Sequence, residues 1–509
     1  MSLDVALGID LGTTALKVAL VDDGGRVVAG IRRLLRAAEP AGWERALSVA
    51  VRGLLADTPP CTVVGIGLSG RGGSTCLIDH AGRALMPPGL SPQSPDETII
   101  AALTGDAARL RPLAAHVAAA LHDDPLLRRR LHAILAAKDA LVYRLTGAAV
   151  TDPASGPDRL RWPAAALARC GVPAAALPEV RLPWDAAGAL LPRPAARFGL
   201  PPGLPVAVGL HDGVAAQLGA GMVAPGDAAL TLGTHAVLRI VADGCPAAAT
   251  RFRFYSLWGE RDPRCVVGGN ARLGGAAPTW IAQLTTAAGE RGLARLEADA
   301  AALPASAELP LFLPFLGGMY YPERHLELQG AVLGLQRGHG RGHLYRAALE
   351  GVAFALRHIE DELAAAGVQA RRAVLTGAGA LSPLWRSILS TTLTTPLYVA
   401  PTPEFTEAVG AARCAWIAAG RYRTPEEALA ASTTPRRPLT ARTDRWPTEE
   451  RYAHYRAAVR GLHALLSANA NPGLRAGSDT MSPRSQAGSH AAQEVEEISQ
   501  DRDRDTQIV

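Results

Sequence analysis

The sequence predicts an α/β protein with at least two domains, and three observations support this. The chain has 509 residues, which is more than one hydrophobic core normally organises. Strand-like apolar runs and amphipathic helical segments occur in both halves. A strand–turn–strand element around a Gly-Thr pair occurs twice, at Gly12-Thr13 and at Gly233-Thr234. The repetition suggests a duplicated scaffold.

The first half begins with a β-meander whose strands are separated by glycine-containing turns. In chain order, the predicted elements are strands at Val5–Asp10, Ala15–Val21 and Arg26–Ala29, a helix around Arg45–Ala56, a strand at Val63–Leu68, helices within 101–145 and a strand at Val206–Gly209. Prolines crowd residues 173–205 and mark loops ahead of the last of these strands.

The second half opens with the repeated hairpin at Ala228–Ile240 and contains a long amphipathic helix, His343–Leu363. A strand at Ala373–Thr376 runs into a glycine-rich turn, and a further helix is predicted at Glu407–Ala419. Beyond about residue 470 the chain is rich in Ser, Gly and alternating Asp/Arg, a composition typical of disorder. The predicted division is an N-terminal domain over 1–243, a C-terminal domain over 244–440, and a C-terminal helix with a disordered tail over 441–509.

Composition argues against a disordered, membrane, secreted or zinc-binding protein. Hydrophobic residues make up 48% and charged residues 19%, which fits a folded globular chain. No apolar stretch approaches the ~20 uncharged residues that a membrane helix needs, and the N-terminus has no basic, signal-like region. The six cysteines form no CxxC pair and no Cys/His cluster, so the sequence gives no sign of a zinc module or a disulfide framework. We therefore expect no membrane partner and a cytoplasmic location.

The net charge of +5 would suit a nucleic-acid partner, but the distribution of the basic residues does not favour one. Basic residues are spread along the chain, aromatic residues are only 5%, and no basic stripe with interleaved aromatics occurs. Lys17 and Lys138 are the only lysines among 52 basic residues. A lysine retained in an arginine-rich chain suggests a place where a compact ammonium group is preferred to a planar guanidinium. We predict no nucleic-acid partner.

The first candidate site is the turn from Asp10 to Lys17 (DLGTTALK). A tight glycine turn exposes backbone N–H groups that can surround phosphate oxygens. Thr13 and Thr14 add hydroxyl donors, Lys17 adds a positive charge, and Asp10 offers a carboxylate for Mg²⁺. An ordinary hairpin with a polar turn is the alternative interpretation.

The other candidate turns lie in the second half. Gly233-Thr234 repeats the first turn and would let the two halves hold one polyphosphate from both sides. Gly377-Ala378-Gly379-Ala380 follows a strand, and its small residues would let a flat ring approach the backbone. A plain strand–helix turn is the alternative for this third motif. The chain has no GxxxxGK[ST] loop, and its GxGxxG match at Gly65–Gly70 overlaps the strand predicted at Val63–Leu68 instead of forming a strand–helix turn.

The fourth candidate is Asp212, in the segment Gly209 to Gly213 (GLHDG) at the end of a strand. A carboxylate flanked by glycines can face a cleft and accept a proton from an attacking hydroxyl, which is the base that phosphoryl transfer needs. The competing interpretation is a helix N-cap for Val214–Ala220. His211 is interpreted as a packing or hydrogen-bonding residue.

In this order, the motifs resemble the FGGY carbohydrate kinases, most closely the xylulokinase-like branch. The matching motifs are Asp-x-Gly-Thr-Thr-x-x-Lys from Asp10, Gly-x-x-Asp ending at Asp212, Leu-Gly-Thr ending at Thr234 and Thr-Gly-x-Gly-Ala from Thr376. The segments 138–152, 312–318 and 330–351 are similar to further family patterns. The resemblance covers roughly residues 4 to 420.

The resemblance implies two actin-like, RNase-H-like ATPase domains flanking a nucleotide cleft, with ATP and Mg²⁺ as cofactors and a sugar or polyol as substrate. It implies that Asp212 is the catalytic base and that Asp10 serves the metal. Phosphates would contact Thr13, Thr14, Gly233 and Thr234, with Lys17 in the same motif, and the adenosine would contact Gly377, Gly379 and Ala380. The oligomeric state is left open, with a homodimer as one possibility.

The sugar site departs from the family pattern. Xylulokinases usually carry Ser-Gly-Gln-Met-His-Gly where this chain has SGRGGS, so that Arg71, Gly72 and Gly73 take the substrate positions. Buried hydroxyls left unpaired by this change would cost about 1–3 kcal/mol each, which disfavours D-xylulose itself. A pentulose such as xylulose is the default class, and Arg71 suits an acidic or differently substituted polyol.

The leading prediction is therefore an ATP-dependent kinase that phosphorylates a hydroxyl of a sugar or polyol. A non-catalytic relative that binds nucleotide or sugar would explain the altered sugar motif, but it needs no base at Asp212. A chaperone or filament ATPase of the same superfold would explain the phosphate turns, but not the pattern over 330–351 or Asp212.

Overall fold

The computed structural model describes residues 2–36, 39–71, 74–86, 89–90, 121, 124–155, 172–249, 251–259, 262–285, 290–432, 437–439 and 448–468. Predictions that concern Gly72, Gly73, residues 91–120 and the tail after 468 lie outside these residues.

The strands, in chain order, are β1 Leu3–Leu11, β2 Ala15–Val21, β3 Val27–Leu34, β4 Cys61–Gly70, β5 Ser74–Ile78, β6 Gly89–Leu90, β7 Ala133–Ala136, β8 Val150–Thr151, β9 Glu179–Val180, β10 Ala186–Ala189, β11 Pro205–Ala207, β12 Leu210–His211, β13 Asp227–Leu232, β14 Ala236–Ala242, β15 Arg253–Tyr255, β16 Cys265–Asn270, β17 Leu311–Leu313, β18 Ala331–Leu333, β19 Arg372–Thr376, β20 Leu397–Val399 and β21 Arg437–Pro438. The helices are α1 Pro40–Ala56, α2 Pro125–Arg130, α3 Ala137–Thr146, α4 Pro192–Phe198, α5 Asp212–Gly219, α6 Ala276–Thr285, α7 Glu290–Ala301, α8 Arg341–Ala365, α9 Pro383–Thr392, α10 Thr406–Ala418, α11 Pro425–Ala430 and α12 Thr448–Ala468. Short 3₁₀ turns occur at Ala174–Ala176, Ala247–Ala249, Ala378–Leu381 and Pro403–Phe405.

Two seven-stranded sheets organise the fold, and their central strands have the same topology. The first has the order β10-β11-β4-β1-β2-β3, with β12 also pairing with β4; the second has the order β15-β16-β14-β13-β19-β20-β21. In each sheet an antiparallel meander (β1-β2-β3 or β13-β14-β16) is extended by parallel strands (β4 and β11, or β19 and β20). The duplicated scaffold predicted from the two Gly-Thr hairpins is therefore present.

The central strands are buried on both faces. The last seven residues of β1 are all buried, as expected for a strand covered by helices on each side. Helices α1 and α3 contribute to the core on one face, and α10 packs on the other. A Cβ atom at Gly8 or Gly67 would lie about 2 Å from a carbonyl oxygen of α10. Only glycine allows the helix to lie this close to the sheet.

Two helices meet between the sheets. Helix α5 follows the parallel strands of the first sheet, and α10 follows those of the second. Their backbones touch: a Cβ atom at Gly219 would lie 1.9 Å from the Thr406 carbonyl oxygen, and one at Gly410 would lie 2.1 Å from that of Ala215. This contact holds the end of α5, the helix that begins with Asp212, against the start of α10.

The second hairpin lies next to the predicted domain boundary at 243. The hairpin Asp227–Ala242 pairs with β19 and β16 of the second sheet, whereas a boundary at 243 would assign it to the first domain. The pairing favours a boundary between Gly219 and Asp227. Helix α10 also departs from a simple division, because it follows the second sheet but packs on the first.

Most predicted elements are observed, with two differences. Within the described part of 101–145, residues 133–136 form strand β7 rather than helix, because they pair with β5 across a full register. Cys245 and Cys265 form a disulfide, which the scattered cysteines did not indicate. Among the residues that the structure describes, no helix is both long and apolar enough to cross a membrane.

Candidate active site

The first sheet brings three chain segments to one edge. Strands β1, β4 and β12 are parallel, with Asp10 beside Ser69 and His211 beside Gly70. Since the carboxyl ends of parallel strands meet at the same edge, the residues after these strands also lie together. Asp10, Arg71 and Asp212 therefore belong to one region, although they are up to about 200 residues apart in the sequence.

Asp10 is almost fully buried, with 5% of its surface exposed. The Ser69 hydroxyl donates to its Oδ1 atom at 2.8 Å, and Lys17 Nζ lies 3.7 Å from its Oδ2 atom. Burial, the largest cause, raises the pKa of Asp10 to about 6; Lys17 opposes this, and the carboxylates of Glu407 and Asp212 add to it. An ionised Asp10 is therefore costly in the free protein, which suits a site that binds a cation.

Lys17 joins Asp10 to a residue that the sequence motifs did not reveal. Its Nζ atom donates to Glu407 Oε2 at 3.3 Å. Burial lowers the pKa of Lys17, but the carboxylates of Glu407 and Asp10 outweigh this and raise the pKa above its usual value. Glu407 is buried near the start of α10, and 390 residues separate it from Lys17. No spacing in the sequence could have indicated the pair.

Asp212 is the first residue of α5, and 36% of its side chain is exposed. The N-cap position predicted as its alternative role belongs to His211, whose ring Nδ1 accepts the Gly213 N–H at 3.0 Å. The same N–H also donates to Asp212 Oδ1 at 2.6 Å. His211 is buried and contacts the ring of Tyr255, which confirms its packing and hydrogen-bonding role.

The second lysine supports the loop that leads to Asp212. Lys138 is buried beside Asp139 and lies 2.9 Å from Asp152 Oδ1. Its Nζ atom also donates to the Val208 carbonyl oxygen at 3.3 Å, four residues before Asp212. Burial lowers the pKa of Lys138, but the two carboxylates outweigh this and raise it. Lys138 is thus a buried cation that stabilises the loop before Asp212, and it does not line the cavity between the sheets.

The second hairpin presents backbone and hydroxyl groups instead of charge. The Gly233 carbonyl oxygen accepts the Gly275 N–H at 2.7 Å, and that of Thr234 accepts the Gly274 N–H at 2.9 Å. These bonds tie the turn to the segment before α6. Behind it, Arg239 Nη1 donates to Thr231 Oγ1 at 3.1 Å, and Arg239 is 7% exposed. The role of Arg239 beside the turn was not predicted.

The glycine-rich turn after β19 is only partly as predicted. Gly377 has a φ of 82°, and a Cβ atom there would lie 2.7 Å from the Leu232 carbonyl oxygen. A Cβ atom at Gly379 would lie 2.7 Å from the Trp385 ring. Both glycines therefore also serve packing against β13 and α9. Ala380 was predicted to contact adenosine, but it is fully buried in the core of the second sheet, because its side chain points inward from the turn.

A cavity of about 1820 Å³ lies between the two sheets. Its walls include every predicted nucleotide-binding residue except Ala380: Thr13, Thr14, Lys17, Gly233, Thr234, Gly377 and Gly379. Asp10 and Glu407 also line it, as do the rings of Trp280, Tyr345 and Trp385. Among the described residues, Asp212 and Arg71 are not part of this wall. The volume exceeds that of a usual small-molecule pocket and suits a nucleotide.

Of the predicted substrate residues, the structure describes Arg71 and Asp212. Arg71 is exposed at the end of β4, and its backbone N–H donates to the Leu11 carbonyl oxygen at 3.4 Å. Gly72 and Gly73 lie outside the described residues.

Comparisons with known proteins agree with this arrangement. Residues 120–219 match the N-terminal domain of the FGGY family of carbohydrate kinases, and residues 228–419 match its C-terminal domain; together they span more than half of the chain. The chain is 29% identical to the xylulose kinase of Escherichia coli K12, over 90% of this chain and 99% of that protein. It is 28% identical to the L-xylulose/3-keto-L-gulonate kinase of the same organism, over 90% of this chain and 98% of that protein.

The structure is similar to that of a xylulose kinase from Brucella ovis, with a TM-score of 0.75 and 26% identity over 91% of this chain and all of the other. The two sheets are thus the actin-like, RNase-H-like ATPase domains that the motifs predicted, with the cavity between them. The chain belongs to the FGGY family of carbohydrate kinases and is an ATP-dependent sugar kinase.

Proposed function

We propose that Asp212 is the base of this kinase and that Asp10, Lys17 and Glu407 form its metal and phosphate centre. The observation that carries the proposal is the cavity that has Asp10, Lys17 and Glu407 on one side and the Gly233-Thr234 turn on the other, with Asp212 close enough to Asp10 to affect its charge. A triphosphate held between them would extend from the second sheet towards Asp10 and Asp212.

In this proposal, the oxygen of the substrate hydroxyl forms a bond to the γ-phosphorus of ATP, and Asp212 accepts the proton of that hydroxyl. The bond between the γ-phosphorus and the oxygen of the leaving ADP breaks. The position of Asp212 supports this role, since its carboxylate is partly exposed and its charge acts on Asp10. His211 shares the helix cap, and Lys138 holds the Val208 carbonyl oxygen behind the loop. Both contacts would fix the direction of the base.

The residues around Asp10 fit a magnesium ion. Asp10 and Glu407 offer two carboxylates, Asp212 adds negative charge nearby, Lys17 supplies one neighbouring ammonium group, and the pKa of Asp10 is raised. Oxygen ligands of this kind are what Mg²⁺ prefers. When bound, the ion would neutralise charge on the phosphates. Lys17 would contact a phosphate oxygen directly, and Asp10 would hold the ion through its carboxylate or a water.

The second sheet would bind the rest of the nucleotide. We infer that the exposed Thr234 and the Gly233 backbone contact phosphates, and that Gly377 and Gly379 lie under the ribose or base. The rings of Trp280 and Tyr345 also line the cavity and offer apolar contacts for adenine.

For the substrate, we propose a pentulose-like sugar or polyol, with a carboxylated sugar favoured by Arg71. Gly70 at the end of β4 pairs with His211 at the end of β12, and Arg71 and Asp212 are the next residue after each. Both side chains would therefore face the same substrate. A guanidinium group can bind a carboxylate with two hydrogen bonds. One relative acts on L-xylulose and 3-keto-L-gulonate according to its name, and the second of these is an acid. We expect a small-molecule partner and a cytoplasmic location.

A substrate panel tests the proposed activity. The enzyme would be incubated with Mg·ATP and D-xylulose, L-xylulose, gluconate, 3-keto-L-gulonate, glycerol or a tetritol, while ADP release and the phosphorylated product are measured. We expect at least one sugar to be phosphorylated, with an acidic sugar preferred. Absence of product with every class would contradict the substrate proposal.

The role of Arg71 is tested with the same panel. Arg71→Gln should raise the KM for an acidic sugar about 10- to 100-fold, the effect of losing a hydrogen bond between charged groups, and change the KM for neutral sugars little. Arg45→Gln, which removes an exposed arginine on α1, is the matched control. Equal effects of Arg71→Gln on acidic and neutral sugars would rule out carboxylate recognition by this residue.

A further inference from the structure

Two histidines and a glutamate from separate segments meet on the surface of the second domain. His325 and Glu327 lie in the loop between β17 and β18, and His463 lies on α12. One side-chain ligand atom of each lies within 4.8 Å of the other two. None of the three belongs to the cavity between the sheets.

The distances match those between the ligands of one metal ion. Glu327 Oε1 lies 3.3 Å from His325 Nδ1 and 3.1 Å from His463 Nε2. Neighbouring ligand atoms around a tetrahedral zinc ion with bonds of ~2.0–2.1 Å are about 3.3 Å apart. Little movement would therefore be needed to place an ion between these atoms.

The ring of His325 has carboxylates on both sides. Its Nδ1 atom faces Glu327, and its Nε2 atom lies 3.1 Å from Glu323 Oε2. A neutral imidazole has one N–H and one lone pair, so it can donate to only one of the two carboxylates. If Nδ1 binds a metal ion, the Nε2–H is left to donate to Glu323. This carboxylate–histidine–metal arrangement is common in metal sites.

The backbone positions of the ligands are fixed by packing. His325 forms two backbone hydrogen bonds with Met319, each 2.9 Å long. On α12, Tyr455 and Val459 are buried against the loop, and His463 continues the same face because it follows at the same four-residue spacing. The histidine pair is in contact, with 3.9 Å between the ring centres.

We propose that His325, Glu327 and His463 bind a zinc ion that ties the C-terminal helix to the loop of residues 319–328. Two imidazoles and one carboxylate suit Zn²⁺ and related transition metals, whereas Mg²⁺ and Ca²⁺ prefer oxygen ligands. Glu323 is a second-sphere residue that orients His325, and water would complete the coordination. The site is separate from the phosphate centre and does not depend on the proposed roles of Asp10 or Asp212.

The test uses the untagged full-length chain, freed of metal with a chelator and titrated with Zn²⁺ by calorimetry. We expect one zinc per chain, and visible absorption typical of tetrahedral coordination when Co²⁺ replaces Zn²⁺. Zinc should also raise the unfolding temperature. His463→Ala should lose both the bound zinc and the thermal shift, and Glu323→Gln should weaken binding about 10- to 100-fold.

His454→Ala removes an exposed histidine from the same helix and is the matched control; it should bind zinc as the unaltered chain does. Retained kinase activity would show that each variant is folded. If the unaltered chain bound no zinc, or if His463→Ala and His454→Ala bound it equally, the proposal would be wrong. A glutamate variant, Glu327→Gln, that kept full affinity would contradict the proposed coordination.

Discussion

The two Gly-Thr hairpins that face the cavity share a backbone design but differ in the groups around them. In the first hairpin, Asp10 and Lys17 are opposite each other on neighbouring strands, and Glu407 contacts the lysine. In the second, the turn carbonyls of Gly233 and Thr234 are held by backbone N–H groups. Charged side chains therefore flank the first turn, whereas backbone hydrogen bonds hold the second.

From this difference we propose that the duplicated scaffold divides its tasks between the two turns. Phosphoryl transfer needs a base and positive charge where the bond changes, whereas holding the nucleotide needs shape and hydrogen bonds. We therefore expect charge changes on the first sheet to lower kcat. Changes in small residues of the second sheet should mainly alter the KM for ATP.

The largest effect is expected from Asp212→Asn. The amide keeps the size of the side chain but cannot accept the proton, so kcat should fall about 10²- to 10⁴-fold. ATP affinity, measured by calorimetry, should change little because Asp212 is not part of the nucleotide cavity wall. The matched control is Asp227→Asn in the second sheet, which should leave kcat near its original value. Near-normal turnover of Asp212→Asn would refute the assigned base.

A second, smaller effect is expected from Lys17→Met. The change removes the ammonium group that contacts Asp10 and Glu407, and kcat/KM for ATP should fall about 10- to 100-fold. Lys17→Arg retains the charge but not the compact shape, and it should restore part of the activity.

Arg239→Met is the comparison at the second hairpin, where the Arg239 guanidinium lies behind the turn and close to Gly213. Arg239 is a buried cation beside Thr231 and should matter for stability more than for turnover. If Arg239→Met lowered kcat as much as Lys17→Met, the positive charge that turnover requires would not be confined to the first hairpin.

Local features of the fold could be predicted from the sequence. The two hairpins, the long helix α8 and the glycine turn at 377–379 follow from apolar spacing and from glycine's conformational freedom. These signals arise from neighbours in the chain, so no tertiary contact is needed to recognise them. The proximity of Asp10 and Asp212 could be predicted because each lies in a short motif at the end of a strand.

Features that depend on distant contacts could not be predicted. Glu407 reaches Lys17 only because α10 crosses back onto the first sheet. Strand β7 has helical composition but pairs with β5, and this pairing overrides local preference. The inward direction of Ala380 depends on how the turn packs against the second sheet. In each case the deciding partner is far away in the sequence.

A third prediction concerns stability and pH. The folded protein raises the pKa of Asp10 from its ordinary value of 3.8 to about 6, so it holds this proton more tightly than the unfolded chain does. The bound proton therefore adds to the free energy of unfolding. This gain is fully present below pH 3.8, the pKa in the unfolded chain, and is lost as the pH rises through about 6, the pKa in the folded chain. At neutral pH the ionised group costs on the order of 1–3 kcal/mol.

Asp10→Asn should therefore be more stable than the unaltered chain near pH 7 by this amount, while it loses activity and needs more magnesium. Urea unfolding near pH 7 and near pH 5 measures the effect, and the gain should shrink at the lower pH. A variant that was less stable at both values would show that Asp10 is held by its ion pair rather than strained by burial.

The smallest expected effect compares the glycines of the two hairpins. A Cβ atom at Gly12 would lie 2.7 Å from the Ala15 carbonyl oxygen of its own turn, whereas at Gly233 the nearest atom is 3.8 Å away. Gly12→Ala should therefore distort the turn and reduce the free energy of unfolding by about 1–3 kcal/mol. Gly233→Ala should keep full stability and raise the KM for ATP a few-fold, because its new methyl group meets no protein atom closely and Gly233 lines the cavity. Equal losses of stability in thermal unfolding would mean that packing requires glycine in both turns. That result would contradict the prediction that Gly233 serves nucleotide binding and not stability.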